Sequence, residues 1–298
     1  MKYNRTAHLK NVLHHLYINP LEKCNLHCKI CYTKKTSSIL TEHQIFDFVD
    51  RYAKVVEVKV ITFCGGEVMA LSYFPKLVNR LVKRGIYIQC ITNGTIDRLK
   101  ELANPGMINL IVSLDGSREY HDSNRGTGQY DKSIIFLKKA KKLGFHTEIF
   151  SIVTKQNLPN IDQFEAQIHD QIGPIDITFH PRKPAEYLKQ HPKSNIVGTT
   201  QGFDYLTGDE MRELWKHRKK VFPPKELGCY QVALASDGTV YGCCEGFEAL
   251  GKIDDTPLQL INQLKCRIRG LGMGCSQPGF MCGLKEVILL HKKQSSSS

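Results

Sequence analysis

Short apolar runs alternate with longer amphipathic segments over the first part of the chain, which predicts strands that are each followed by a helix. Residues 58–63, 86–92 and 108–114 are almost continuously apolar, as in strands that are buried on both faces. Thr41 and Gln44 form a capping box that opens an amphipathic helix before the first of them. Further strands are predicted at 13–20, 146–153 and 174–180, and further helices at 73–84, 133–143 and 160–171.

Six such strand-then-helix units predict an α/β fold built on a parallel sheet. Right-handed crossovers place all the strand-to-helix loops of this sheet at one edge. We therefore expect a partial (β/α)6 barrel that is similar to a TIM barrel. Candidate functional residues should follow the strands, because the sites of such barrels lie on that rim.

The pattern changes after residue 222, where Pro223-Pro224 interrupts it. Residues 231–243 predict a β-hairpin with Asp237-Gly238 at its turn, and a short helix is predicted near 256–265. A small cysteine-rich domain is expected here. The predicted divisions are a core over 1–222, this second domain over 223–290 and a disordered tail over 291–298.

The composition is that of a soluble globular protein, since 41% of the 298 residues are apolar and 23% are charged. No run approaches the length of apolar sequence that a membrane-spanning helix needs. The basic N-terminus lacks the apolar segment of a secretory signal. We therefore expect a cytoplasmic protein without a membrane partner.

A net charge of +12 suggests an acidic partner. The basic residues at 138–142 and 218–220 lie at helical spacing and predict solvated helix faces. Aromatic residues do not alternate with them, as a base-stacking surface would require, which argues against nucleic acid. A small electron-transfer protein or an acidic peptide also fits the positive net charge.

Eleven cysteines are many for a chain of this length in a reducing compartment. Such cysteines more often bind a metal or cluster than form disulfides. Three of them, Cys24, Cys28 and Cys31, follow the first predicted strand in a C-x3-C-x2-C loop. The loop supplies three of the four ligands of an iron–sulfur cluster. The alternative is a zinc knuckle, which needs a fourth local Cys or His, and His27 beside Cys28 is poorly placed for that role.

This loop after the first strand resembles the defining motif of the radical S-adenosylmethionine superfamily. In that family three cysteines hold a [4Fe-4S] cluster, and the open iron binds the amino and carboxylate groups of S-adenosylmethionine. Reductive cleavage then gives a 5′-deoxyadenosyl radical. The resemblance implies these two cofactors and an electron donor of the flavodoxin or ferredoxin type.

Other family motifs match at the ends of later strands. Gly65-Gly66-Glu67 resembles the motif that holds the methionyl amino group, with Glu67 able to pair with an ammonium. Taken alone, these three residues are better explained as a turn with a surface carboxylate, and their position directly after the second predicted strand favours the functional interpretation. Ser113 and Asp115 match a segment near the ribose or methionyl end. Arg125 resembles the arginine that pairs with the cofactor carboxylate.

Two further matches leave a structural role and a cofactor contact equally open. Asn93-Gly94 is similar to a family strand end, and Ile152 and Val153 lie where apolar residues pack on the adenine. Ile30 departs from the family, because many members have an aromatic residue before the last cysteine of the loop.

The resemblance continues in the C-terminal region, where Cys229, Gly238 and Cys243 match the opening of a SPASM or twitch domain. Cys275 and Cys282 would complete the ligands of one auxiliary [4Fe-4S] cluster, as in the twitch arrangement. Cys244 is an alternative to Cys243 or a substrate ligand. The remaining cysteines are expected to be non-ligands: Cys266 in a helix, and Cys64 and Cys90 as small buried residues.

An auxiliary cluster favours oxidation or bond formation over isomerisation. Our hypothesis is modification of a ribosomally synthesised peptide. Only 23 residues precede Cys24, so the sequence predicts that a peptide binds the barrel itself or a partner. The first alternative is oxidation of a small metabolite or cofactor precursor. The second, from another class, is a non-catalytic metal-binding regulatory module.

Overall fold

The computed structural model describes residues 13–183, 200–217, 231–244 and 249–270. The strands of these ranges are β1 (His15–Ile18), β2 (Val60–Phe63), β3 (Tyr87–Thr92), β4 (Ile108–Ser113), β5 (His146–Val153), β6 (Asp176–Pro181), β7 (Val232–Leu234), β8 (Thr239–Tyr241) and β9 (Ala249–Lys252). The α-helices are α1 (Glu42–Ala53), α2 (Phe74–Val82), α3 (Arg118–Arg125), α4 (Gln129–Lys142), α5 (Ile161–Ile172), α6 (Gly208–His217) and α7 (Pro257–Gly270).

All of these strands belong to one sheet, in the order β6-β5-β4-β3-β2-β1-β7-β8-β9. From β1 to β6, each strand pairs in parallel with the next, for example His15 with Val60 and Ile18 with Phe63. The predicted α/β fold with a parallel sheet is confirmed. The carboxyl ends of these six strands lie at the same edge, which brings together the loops that carry the motif residues.

The first helices form for local reasons that the sequence shows. In α1, the Gln44 N–H donates to Thr41 Oγ1 (3.2 Å) and the Thr41 N–H donates to Gln44 Oε1 (2.9 Å), so the predicted capping box is present. The apolar side of α1, including Phe48 and Val49, is buried. Gly85, in a left-handed conformation with φ +78°, follows the end of α2.

Side chains alternate between the two faces of β1. Leu16 and Ile18 are fully buried in the core with the helices, whereas His15 and Tyr17 point to the opposite, partly accessible face. On that face His15 Nε2 lies 2.8 Å from Thr62 Oγ1. Burial lowers the pKa of His15 to about 4, so the ring is neutral at physiological pH.

The predicted hairpin is present as β7 and β8, with Gly238 at φ +76° in its turn. It extends the main sheet, because β7 pairs in parallel with β1. Leu234, Val240 and Leu260 belong to the same apolar core as the first six strands. The division after residue 222 lies outside the described residues and stays a prediction.

Three elements were not predicted: α3, α6 and β9. In α3 the sequence REYHDSNR has little apolar character, but Ser117 caps it by accepting a hydrogen bond from the Tyr120 N–H (3.3 Å). Within the described part of the chain, no helix combines the length and apolar character needed to cross a membrane.

Candidate active site

The three-cysteine loop leaves the carboxyl end of β1 and is closed at its base by backbone pairing of Leu21 with Ile39. Cys24, Cys28 and Cys31 are all half-buried. The described residues contain no group of three His, Cys, Asp or Glu side chains arranged to hold one metal ion.

The loop thiols lie close enough to influence one another. Burial raises the pKa of the Cys28 thiol; the Arg125 guanidinium opposes this effect, and Cys31, Asp115 and Cys24 add to it. A second thiolate nearby disfavours ionisation, whereas a cation favours it. The loop therefore gathers three thiols beside the Arg125–Asp115 ion pair.

Gly65 and Gly66 hold the entrance of the loop against the end of β2. The Gly66 N–H donates to Leu21 O (2.8 Å), and the Glu67 N–H donates to Lys23 O (3.0 Å). A Cβ atom on Gly66 would lie 1.8 Å from Lys23 O, so no larger residue fits without moving the loop. The close approach that these glycines permit is to the cysteine loop itself.

The side chain of Glu67 is fully buried and joins the ends of β2 and β3. Its carboxylate accepts hydrogen bonds from the Met69 N–H (3.0 Å), the Thr92 hydroxyl (2.8 Å) and the Asn93 N–H (2.7 Å). Burial raises the pKa of Glu67, and these three donors oppose the change. In this structure the carboxylate is engaged by protein donors, so its predicted pairing with the methionyl ammonium stays a prediction.

Asn93, at the end of β3, attaches the start of the loop to the sheet. Its Nδ2 atom lies 2.9 Å from Asn25 Oδ1 and 3.7 Å from Cys24 Sγ. The Asn25 amide in turn donates to Thr95 Oγ1 (2.9 Å). The sequence left a structural role and a cofactor contact equally open for Asn93; the contacts seen here are to the loop.

Asp115, after β4, is a fully buried carboxylate that connects two neighbouring elements. It accepts two hydrogen bonds from Arg125 (2.6 and 3.0 Å), one from the Asn124 amide (2.9 Å) and one from the Ile152 N–H (3.2 Å). Burial would raise the pKa of Asp115, but Arg125 holds it below its ordinary value. Burial likewise disfavours the charged form of Arg125, and Asp115 overcomes this and raises the pKa of Arg125.

Asn124 connects this buried pair to the cysteine loop. The Lys29 N–H donates to its backbone oxygen (3.0 Å), and the Ile30 N–H donates to its Oδ1 atom (3.3 Å). Sequence reasoning missed Asn124 and Asn25, although each directly adjoins a residue that was selected. The loop is thus held at three places, by Gly65–Glu67, by Asn93 and by Asn124.

The other predicted cofactor residues divide into two groups. Ser113 is half-buried, and its hydroxyl makes no hydrogen bond to the described residues; Ile152 is also half-buried. Both remain accessible to a ligand. Val153, in contrast, is fully buried in the apolar core, which favours the structural role of the two that the sequence left open.

Of the auxiliary ligand set, Cys229, Cys275 and Cys282 lie outside the described residues. Cys243 is half-buried. It lines a cavity of about 120 Å³ at the partly accessible face of β1. The residues that line this cavity are Tyr17, Asn19, Glu22, Tyr32, Thr33, Cys64, Gly65, Ala233, Leu234, Ala235, Tyr241, Cys243 and Cys244.

The remaining cysteines follow the prediction in part. Cys90 is buried and Cys266 is exposed. Cys64 is half-buried rather than buried, accepts a hydrogen bond from the Tyr17 hydroxyl and faces the cavity. The prediction that Cys64 is a small buried residue is therefore wrong.

Breaking the buried ion pair should destabilise the protein. Asp115→Asn leaves Arg125 without its counter-charge, and we expect the free energy of unfolding in urea to fall by about 3 kcal/mol. The matched control is Asp131→Asn, which removes the exposed partner of Arg118 and should change little. Equal effects of the two substitutions would contradict the role assigned to Asp115.

The difference in unfolding free energy between the wild type and Asp115→Asn depends on pH because the pKa of Asp115 is lowered in the folded protein. Its stabilisation is present above the unfolded-state pKa of about 3.9 and is lost as the pH falls through the lower folded-state value. The difference between wild type and Asp115→Asn should therefore be constant near neutral pH and shrink below about pH 4.

Comparison with known families identifies the class. The Radical SAM superfamily model matches residues 18–166, which include the cysteine loop and the motif residues at the ends of β2, β3, β4 and β5. The chain belongs to the radical SAM superfamily and is a radical S-adenosylmethionine enzyme. The prediction of an enzyme is confirmed.

Two curated relatives show how far the similarity extends. Mycofactocin maturase MftC of Mycobacterium tuberculosis is 28% identical over 149 residues, which are 47% of this chain and 38% of the maturase. Fe-coproporphyrin III synthase of Methanosarcina barkeri is 31% identical over 170 residues, which are 54% of this chain and 42% of the synthase. The matched region thus spans less than half of each relative.

Solved structures share the fold over most of the chain. Native anSMEcpe with bound AdoMet superposes with a TM-score of 0.69 at 20% identity, covering 90% of this chain and 88% of that one. Streptococcus suis SuiB bound to precursor peptide SuiA gives a TM-score of 0.64 at 17% identity, covering 93% of this chain and 72% of that one.

Proposed function

We propose that Cys24, Cys28 and Cys31 hold the [4Fe-4S] cluster that the family implies. The observation that carries this assignment is the attachment of their loop at three places to the carboxyl edge of the sheet. Three half-buried thiols beside Arg125 suit a cluster of negative charge. When bound, the cluster and S-adenosylmethionine supply a 5′-deoxyadenosyl radical that abstracts hydrogen.

Side chains that could bind S-adenosylmethionine lie at the same carboxyl edge of the sheet as the cysteine loop. Arg125 uses Nε and Nη2 for Asp115, and Nη1 makes no hydrogen bond to the described residues, so it is available for the cofactor carboxylate. The Ser113 hydroxyl is assigned to the ribose and Ile152 to the adenine. Gly65, Gly66 and Glu67 would then act near the methionyl amino group through the backbone that they position.

An auxiliary [4Fe-4S] cluster in a twitch-like region is the second part of the proposal, with Cys229, Cys243, Cys275 and Cys282 as ligands. Its support is the position of Cys243 on the cavity beside the cysteine loop. Cys244 lines the same cavity and stays the alternative ligand. The electron donor is proposed to be a flavodoxin or ferredoxin, which the positive net charge would attract.

The substrate proposed is a ribosomally synthesised peptide, of which one side chain enters the cavity. A volume of about 120 Å³ is smaller than the roughly 300 Å³ or more of pockets that enclose whole small molecules. Positive and aromatic groups lie nearby, with Lys183 Nζ 4.4 Å from the centre of the Tyr32 ring. MftC is a maturase, and SuiB is solved with a precursor peptide.

A small metabolite or cofactor precursor is the second candidate. Its support is the similarity to Fe-coproporphyrin III synthase and to an S-adenosylmethionine-dependent nucleotide dehydratase, which is 29% identical over 175 residues. Neither candidate changes the assignment of the radical-generating site.

Deuterium transfer separates the two candidates. The reconstituted enzyme is incubated with S-adenosylmethionine, a reductant, and either deuterated peptides encoded beside the gene or deuterated metabolites. We expect deuterium in 5′-deoxyadenosine with a peptide, because abstraction transfers the substrate hydrogen to the cofactor fragment. Transfer from a metabolite and from none of the peptides would overturn the peptide proposal.

A further inference from the structure

The three loop thiols differ in their hydrogen bonds. Cys24 Sγ accepts from the Leu26 N–H (3.4 Å) and from Asn93 Nδ2 (3.7 Å). No described residue donates a hydrogen bond to the sulfur of Cys28 or Cys31. Asn93 therefore gives Cys24 a side-chain donor that the other two thiols lack.

The orientation of the Asn93 amide is fixed by its neighbours. Its Oδ1 atom accepts from the Thr95 N–H (2.9 Å) and the Thr95 hydroxyl (2.6 Å). A backbone N–H can only donate, so the oxygen has to face Thr95 and the NH2 group has to face Asn25 and Cys24. If the Asn93 amide were flipped, its NH2 group would face the Thr95 N–H, and neither group could accept a hydrogen bond.

The backbone of Asn93 is also held. Its N–H donates to Glu67 Oε2 (2.7 Å), and its carbonyl accepts from the Ser133 hydroxyl (2.9 Å). Only 6% of the residue is exposed. The amide is thus a preorganised donor, aimed at Cys24 from a rigid strand end.

We propose that Asn93 is a positioning residue that donates a hydrogen bond to the Cys24 thiolate and thereby raises the reduction potential of the cluster. The inference rests on the proposed function, because it takes Cys24 as a cluster ligand. A donor to a ligand sulfur stabilises the reduced, more negative cluster more than the oxidised one. The role differs from the contact with S-adenosylmethionine that the family resemblance left open for Asn93.

The midpoint potential of the cluster tests this role directly. It is measured by redox titration followed by EPR in the wild type, Asn93→Ala and Asn93→Asp. Asn93→Ala removes the donor. Asn93→Asp keeps an oxygen toward Thr95 and turns a second one toward the sulfur. We expect the potential to become more negative in the order wild type, Asn93→Ala, Asn93→Asp.

The matched control is Asn79→Ala. The Asn79 amide bridges two segments on the outside of the sheet, through Glu101 O (2.8 Å) and the Ala103 N–H (2.7 Å). We expect the cluster of the Asn79→Ala variant to have the same midpoint potential as that of the wild type. Unchanged potentials in both Asn93 variants, or equal shifts in all three variants, would overturn the proposal.

Iron retention provides a second measurement that does not depend on turnover. Loss of iron to a chelator should be about tenfold faster in Asn93→Ala than in the wild type. If Asn93→Asp does not keep its cluster, Thr95→Val replaces it in the titration. This variant removes the hydroxyl that holds the amide and should shift the potential in the same direction by less.

The outcomes separate this inference from the proposed function. A wild type that binds no [4Fe-4S] cluster contradicts the assignment of Cys24, Cys28 and Cys31. A wild type that binds the cluster, with an Asn93→Ala variant of equal potential and equal iron retention, contradicts only the role of Asn93.

Discussion

Replacement of Cys28 by serine is expected to abolish the formation of 5′-deoxyadenosine. The substitution removes one of the three thiolates proposed to hold the cluster. Loss of a ligand should lower the yield by at least about a hundredfold, since loss of a residue that only supports a ligand costs 10- to 100-fold. Iron content and product yield after anaerobic reconstitution measure the effect.

Cys266→Ser is the matched control for this experiment. Cys266 is an exposed thiol in α7 and is not part of the loop. We expect it to keep the iron content and product yield of the wild type. A Cys28→Ser variant that behaves like Cys266→Ser would contradict the ligand assignment.

Gly66→Ala should have the second largest effect, although Gly66 carries no chemistry. The added methyl group would lie 1.8 Å from Lys23 O, which belongs to the backbone and has little freedom to move. We expect a loss of about 3 kcal/mol in unfolding free energy. The loop displacement should also lower product yield about a hundredfold, the cost of a misplacement near 1 Å.

Gly106→Ala provides the comparison for Gly66. A Cβ atom there would meet no atom within 4 Å. Urea unfolding and 5′-deoxyadenosine yield should both match the wild type. If Gly66→Ala is as stable and as active as Gly106→Ala, the close packing of the loop on β2 is not needed for stability or activity.

The strands were predictable because their signals are local. Apolar runs such as 108–114 mark buried strands, and parallel pairing then places every strand end at one edge. Because these motifs follow successive strands, the sequence predicts that Cys24, Glu67 and Asp115 lie near one another. The helix α3 was missed because its sequence is polar and its main local signal is a single serine cap.

The partners of the motif side chains were beyond sequence reasoning. Glu67 and Arg125 were assigned to a ligand, yet in the structure Glu67 accepts from Asn93 and Arg125 pairs with Asp115. A motif records which residue types are present and at what spacing, and the partners are decided by contacts between distant segments. The pairing of β7 with β1 has the same origin, since about two hundred residues separate these strands.

The central claim is that the cysteine loop holds a cluster that cleaves S-adenosylmethionine. The most direct measurement is 5′-deoxyadenosine formation by the anaerobically reconstituted wild-type protein with S-adenosylmethionine and a strong reductant. We expect a brown, iron-containing protein that forms 5′-deoxyadenosine only with reductant. Bound zinc in place of iron, with no cleavage of S-adenosylmethionine, would contradict it.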